Sequence, residues 1–332
     1  MTAQAVPAPA TAAAPPRRLG WGWAVVARKE LSDQLLSLRF GALLVVLGLA
    51  AGAAVYSAGG GISEVAAQQA GSPGLFLRLF TVQADPIPFS FYAFIGFLAP
   101  LLGIALGFDA INGERAQRTL PRLVAQPIHR DDVINGKFLA GLITVTALLT
   151  TVTLVVAGLG ILRLGIVPTA GEVARLAVWL AGAICYVGVW LALALLLSVV
   201  VSRASTSALV AIALWLVLVI FGSLLAGLAA GVLAPEGDGA PAAVLHHAKV
   251  EKTLERFSTV TLYDESTAAL LNPQVRFVGV ITARQISQAI PTTLSVIQSV
   301  LLVWPQLVGM LAVMVVCFAI AYLEFMGQEI RA

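Results

Sequence analysis

Charge is scarce in this 332-residue chain: Asp, Glu, Lys and Arg together make up 11%, against about a quarter in soluble domains. Hydrophobic residues make up 59% and the mean hydropathy is +0.93, which excludes an ordinary globular domain. Cysteine is nearly missing: Cys185 and Cys317 both fall inside apolar runs, where they read as small packing residues rather than a disulfide or metal site. The three histidines do not cluster with Cys or carboxylates, and His246 and His247 read as a solvated pair on a helix surface. No Gly-rich phosphate loop exists, because Gly136-Lys137 is followed by Phe138, so this chain does not bind ATP by that route. His-Glu-x-x-His and Gly-x-Ser-x-Gly are also absent. No acid or base lies at the centre of an apolar run, which argues against an intramembrane carboxylate relay. The formal charge of +3 follows from membrane topology and gives no reason to invoke nucleic acid.

What is present is a set of long uncharged windows. They cover 40–63, 86–108, 138–162, 176–202, 204–235 and 285–323, with lengths of 24, 23, 25, 27, 32 and 39 residues. About 20 apolar residues at ~1.5 Å rise cross a ~30 Å hydrocarbon core, and the alternating pattern of a β-barrel is missing. The expected fold is therefore all-α: a polytopic membrane protein of six transmembrane helices, at about 40–58, 89–108, 138–162, 176–201, 206–233 and 300–323. The six-helix domain occupies 39–332.

Residues 1–20 form an Ala/Pro-rich tail expected to be disordered. In 21–38, Ala24, Ala27, Leu31, Leu35 and Leu38 recur opposite Lys29, Asp33 and Ser37, which predicts an interfacial elbow helix whose lipid partner is the headgroup layer. In the loop 109–137, Thr119 can cap a short helix with Leu120, Leu123 and Val124 on one face, ended by Pro127, and Asp131 or Asp132 can cap the next span. The threonines Thr144, Thr146, Thr150, Thr151 and Thr153 read either as a polar path or as back-bonding to helix carbonyls. In the segment 234–298, Ala243, Val250, Leu254 and Phe257 form one stripe of a helix near 242–258, and a second helix is expected from Asp264 to Leu271, stopped by Asn272-Pro273.

Orientation follows from Lys and Arg. With the N-terminus inside, 12 fall on the cytoplasmic side and 8 outside, five of these in the long 234–298 segment, so the short-loop comparison is 12 to 3. Both termini are expected in the cytoplasm, the protein in the cell membrane, and 234–298 outside it.

The loop between spans 2 and 3 also carries a family likeness. Gly113-Glu114-Arg115, Thr119-Leu120, Leu123, Gln126-Pro127-Ile128, Arg130 and Gly136-Lys137, with the ending Phe325-Met-Gly-Gln-Glu329-Ile330-Arg331, resemble ABC transporter permeases of the type-2, exporter-like class. Within that class the order is most similar to permeases of multi-copper and nitrous-oxide-reductase maturation. One departure is Arg118, where the pattern has Gly before Thr-Leu, followed by Pro121. The resemblance implies a transport subunit, with ATP hydrolysis left to other chains: two cytoplasmic ABC ATPase subunits holding ATP and Mg, with no cofactor on this one. It further implies a second permease chain, identical or related, and a coupling site formed by Glu114, Arg115, Thr119, Leu120, Leu123, Val124 and Arg130. An extracytoplasmic accessory protein is one candidate surface for the 242–258 stripe. From the residues alone, a membrane scaffold or enzyme without a nucleotide-binding partner stays open beside this reading.

The topology makes a direct prediction. Single cysteines at Gly113 or Gln126 should react with membrane-impermeant maleimide only from the cytoplasm, and one at Gly237 only from outside; equal labelling from both sides would overturn the orientation.

Overall fold

The computed structural model describes residues 22–68, 74–82, 90–117, 129–235, 240–280 and 293–328. The expected disordered tail and the helix expected around 119–126 lie outside them. Among the described residues the regular structure is helical throughout: α1 (Gly22–Leu35), α2 (Leu38–Gln68), α3 (Arg78–Thr81), α4 (Phe91–Gly107), α5 (Asn112–Ala116), α6 (Arg130–Leu164), α7 (Ala170–Val200), α8 (Ala204–Leu233), α9 (Pro241–Glu255), α10 (Thr259–Leu271) and α11 (Val296–Gly327). Five helices are long and apolar enough to cross a membrane: α4 continued to Ala116, then α6, α7, α8 and α11. Six result when α1 and the start of α2, bent by 61°, are counted as one crossing. The chain is thus an all-α, multi-pass membrane protein.

The helices overrun the charge-free windows because their ends are capped by polar residues. Thr169 and Glu172 form a reciprocal box at the start of α7, with Glu172 N donating to Thr169 Oγ1 at 3.3 Å and Thr169 N to Glu172 Oε2 at 2.8 Å. Ser295 and Gln298 do the same for α11. At α6 the N-cap is His129 rather than Asp131 or Asp132; Asp132, at the third helical position, accepts the His129 backbone N–H at 3.0 Å. Each pair satisfies backbone donors that a helix start leaves orphaned. At the other extreme α2 continues through Gly59, Gly60 and Gly61, since a helical glycine costs only about 1 kcal/mol and no proline intervenes.

Span α7 is the hub, with 67% of its apolar window buried, and it packs chiefly on α11 and α4. Close approach to α4 is set by two glycines one turn apart. A Cβ on Gly103 would lie 2.6 Å from the Val187 carbonyl, and one on Gly107 2.8 Å from that of Leu191, so the helix backbones touch directly. Above this contact Phe80, Phe91 and Trp179 form an aromatic layer with centroids 5.5 to 6.1 Å apart.

The segment after α8 folds into a hairpin. Helix α9 runs back along α8, with His247 Nδ1 2.8 Å from the Ala234 carbonyl. Helix α10 then rises between three spans: Tyr263 stacks on Tyr186 of α7 at 4.6 Å, its hydroxyl donates to the Tyr92 carbonyl, and Glu265 accepts from Gln306 of α11 at 2.8 Å. The helix begins at Thr259 with Ser258 as N-cap, not at Asp264, because Leu262 and Tyr263 are buried in the bundle core and extend the pattern one turn earlier. It stops at Asn272. On α9, Ala243, Val250 and Leu254 are half-buried, while Phe257 falls beyond the helix end and is 84% exposed.

Gly107→Leu should separate α4 from α7 and lower the thermal unfolding midpoint in detergent, since overpacking costs about 1–3 kcal/mol. Gly158→Ala, where an added Cβ meets nothing within 4 Å, should leave the midpoint unchanged or raised. Equal behaviour of the two would mean that the glycine contact does not hold the spans together.

Candidate functional site

Of the residues that carried the family likeness, the described ones, Gly113-Glu114-Arg115, Arg130, Gly136-Lys137 and Phe325 to Gln328, gather at one end of the bundle. Below α4, the short α5 is pinned under the end of α7: the Ile111 and Asn112 N–H groups donate to Ser198 Oγ at 2.9 and 3.2 Å, and Asn112 Nδ2 donates to the Val201 carbonyl at 3.4 Å. Consecutive residues on a helix point about 100° apart, so Glu114 and Arg115 leave α5 in different directions. Each meets its own set of partners.

Glu114 meets Lys137. The ammonium of Lys137, whose side chain is 6% exposed, sits 2.7 Å from Glu114 Oε1 and 3.0 Å from Glu30 Oε1 of α1. Lys29 adds contacts to Glu30 at 3.1 Å and to Asp33 at 3.4 Å. Burial opposes ionisation of Glu30, but Lys137 and then Lys29 outweigh it and hold its carboxyl below the ordinary value. One residue earlier, Gly136 provides the space for α1: a Cβ there would lie 2.8 Å from the Trp23 carbonyl. The Trp23 N–H donates to Asp132 Oδ1 at 3.0 Å, and Thr144 Oγ1 donates to Gln34 Oε1 at 2.8 Å.

These contacts give the elbow helix a span-facing side that its apolar stripe did not announce. Gly22, Val26, Glu30 and Gln34 turn toward α6, whereas Leu35 and Leu38 are 40% and 90% exposed. A purely apolar stripe suits a helix lying on lipid alone; this one is fastened to a span through polar groups, so its aliphatic side is left to the membrane.

Arg115 and Arg130 work on the opposite side. Arg115 Nη1 donates to the Val199 carbonyl at 3.1 Å and Nη2 to Gln328 Oε1. Arg130 Nη2 donates to the carbonyls of Gln328 at 2.7 Å and Phe325 at 3.3 Å, and its guanidinium lies over the Phe325 ring. Both arginines therefore close the carbonyl ends of spans, α7 for one and α11 for the other.

Between α1, the end of α4, α5 and α6 lies a cavity of about 340 Å³. Its charged lining consists of Glu30, Asp33, Asp109 and Glu114 with Lys29 and Lys137. Of the expected coupling residues, Glu114, Arg115 and Arg130 are thus brought to this end, while Thr119, Leu120, Leu123 and Val124 lie outside the described residues. The sequence reading missed Glu30, Gln34, Ser198 and Gln328. The spacing of Glu30 and Gln34, one turn apart opposite Lys137 and Thr144, was the available signal. In the threonine row Thr146 and Thr151 donate back to the carbonyls four residues before them, while Thr144 gives its one hydroxyl proton to Gln34. Among the described residues no group of three or more His, Cys, Asp and Glu side chains is placed to hold a metal.

A family model described as ABC-2 family transporter protein matches residues 24–330. A search of curated proteins finds no match.

Removing one partner of a buried ion pair leaves an uncompensated charge, typically a loss of ~3–5 kcal/mol. Lys137→Met should therefore destabilise the chain strongly, and adding Glu30→Gln should restore part of the loss, read as thermal midpoints of purified protein. The depressed Glu30 carboxyl makes its contribution complete above the unfolded carboxylate value and lost only as pH falls through the lower folded one. The Glu30→Gln effect should accordingly fade below about pH 4, not near neutrality. A midpoint for Lys137→Met equal to wild type would show that the ammonium does not hold these segments.

Proposed function

The chain belongs to the ABC-2 transporter family, and from that premise we propose how it works within an ABC transporter. Membership makes it a membrane permease component, a transport subunit whose family associates with ABC ATPases. The reading proposed is an exporter in the cell membrane, built from two permease chains and two cytoplasmic ATPase subunits, with ATP and Mg held by the latter and both termini of this chain inside. Its subtype, by the order of its motifs, is that of multi-copper and nitrous-oxide-reductase maturation permeases.

The observation that carries the coupling reading is the convergence on Lys137. Through it, the start of the 109–137 loop and the elbow helix are tied to one point on α6, so a pull on either reaches a membrane span. Leu120, Leu123 and Val124 would supply the apolar anchor for a groove on the ATPase. Binding energy at such contacts concentrates in the buried apolar anchor, and surrounding charges set orientation. ATP-driven closure of the ATPase pair would then move the loop and elbow, and with them the bundle, between inward-facing and outward-facing or laterally open states.

Leu120→Asp places a charge where the anchor inserts. It should abolish co-purification of the ATPase subunit, or at least the acceleration of ATP hydrolysis by the permease, while the bundle stays folded. Arg163→Ala at the opposite end should leave association intact. If Leu120→Asp retains wild-type association and acceleration, the loop is not the coupling element.

A further inference from the structure

Two arginine side chains and one helix-end carbonyl meet at one residue beyond the last span. Gln328 engages all of them, through both ends of its amide and its backbone carbonyl. Its Oε1 accepts from Arg115 of α5, its Nε2 donates to the Val199 carbonyl of α7 at 3.1 Å, and its backbone carbonyl accepts from Arg130 of α6 at 2.7 Å. One turn earlier, Phe325 is fully buried in a cluster with Ile111, Val133, Ile134, Leu195 and Val199. This cluster is separate from the main core of the bundle.

We propose that Gln328 is a positioning residue that locks the inner ends of α7 and α11 to the start of the coupling loop, so that a displacement of the loop moves spans 4 and 6 as one unit. This rests on the reading of the 109–137 loop as the ATPase contact. The chemistry favours an amide at this position. Only a side chain that accepts and donates together can bind a guanidinium and a helix-terminal carbonyl at once. The two arginines, by contrast, have no carboxylate among these partners; they are held by carbonyl oxygens and the Gln328 amide, which positions them without the geometry of a fixed ion pair. Arg115 and Arg130 thus serve the interior of the chain.

The test uses the full complex reconstituted in vesicles of phosphatidylcholine and phosphatidylglycerol, with Cys185→Ala and Cys317→Ala as background. Spin labels at Leu323 of α11 and Leu209 of α8, which are 68% and 69% exposed, report the distance between these spans with and without vanadate-trapped nucleotide. Wild type should show a nucleotide-dependent shift. Gln328→Ala should keep ATPase co-purification at the wild-type ratio but lose more than half of that shift. Gln328→Glu, which keeps the acceptor for Arg115 but removes the donor to the Val199 carbonyl, should lose an intermediate part of it. A full shift in Gln328→Ala with the ATPase bound would overturn the lock and leave the docking reading standing. Loss of the ATPase in Gln328→Ala would also overturn it, placing this residue in the docking contact itself. A wild-type complex that fails to hold the ATPase would instead remove the reading on which the lock rests.

Discussion

A buried ammonium is an obligation, and Lys137 imposes it on three stretches of chain far apart in sequence. Its side chain is 6% exposed, and the two carboxylates within 3.0 Å come from the elbow helix and from α5. Moving such a charge out of water costs several kcal/mol, recovered only with close, well-satisfied partners. Glu30 must therefore face inward, which fixes the rotation of α1 and turns Leu35, Leu36 and Leu38 outward. Glu114 must lie beneath α6, which fixes the direction in which the chain leaves α5. The neighbouring Gly136 makes the arrangement sterically feasible, since any side chain there would meet the α1 backbone. The Gly-Lys pair thus has a physical meaning: one residue admits the elbow helix, and the next holds it.

A second rule governs the other charges near helix ends. The last carbonyls of a helix have no intrahelical donor, and they carry the negative end of the helix dipole. Three arginines answer three such ends. Arg115 takes Val199 at the end of α7, Arg130 takes Phe325 near the end of α11, and at the opposite end of the bundle Arg175 takes Leu270 at the end of α10 while also donating to Ser299 at 2.8 Å. In each case the guanidinium comes from a different segment, so closing a helix end also joins two elements. Arg175 is 4% exposed and Glu172, a turn before it, accepts the Phe76 N–H at 3.0 Å. The first turns of α7 therefore gather the α3 segment, α10 and α11 around them. Between the two polar ends the bundle is held mainly by close packing.

What could be read from the sequence follows the same division. The spans were legible because charge-free windows longer than 20 residues have few other solutions in a chain of this composition, and the α9 and α10 helices were legible from their periodicity and the Asn272-Pro273 stop. The start of span 4 was placed about six residues late, at 176 against Ala170, because the Thr169–Glu172 pair extends the helix beyond its apolar window, whereas the expected Asp131 or Asp132 cap put the start of α6 within about three residues of Arg130. The attachment of the elbow through Glu30 and Gln34 was not legible, because hydropathy assigns these residues no partner. Their burial depends on Lys137 and Thr144, more than a hundred residues away. The motif residues Glu114, Arg115 and Arg130 were recognised, but their direction was not: Arg115 and Glu114 are adjacent, and only the fold tells which of them meets a lysine and which meets carbonyls. Gln328 gave no signal of its own, being one amide in a tail whose likeness rests on Phe325 and Glu329-Ile330-Arg331.

The unequal burial of the spans bears on how such a bundle can move. Helix α7 has 67% of its apolar window buried, α8 only 11% and α11 17%. In water the aliphatic surface of α8 would demand a cover; in hydrocarbon it does not, since lipid tails are as apolar as leucine and exposure to them costs little. The position of α8 is therefore set at a few points: the tight turn that joins it to α7, the α9 helix laid along its far end, and the contact of Trp215 with Phe97, whose rings are 5.0 Å apart. Displacing α7 would break the glycine contact with α4, the aromatic layer and the arginine-bound ends together. Displacing α8 breaks far less and exchanges protein contacts for lipid contacts of similar energy. A load applied at the Lys137 end would thus leave α7 and its tied neighbours moving as a body, with α8 the span against which that body most readily shifts.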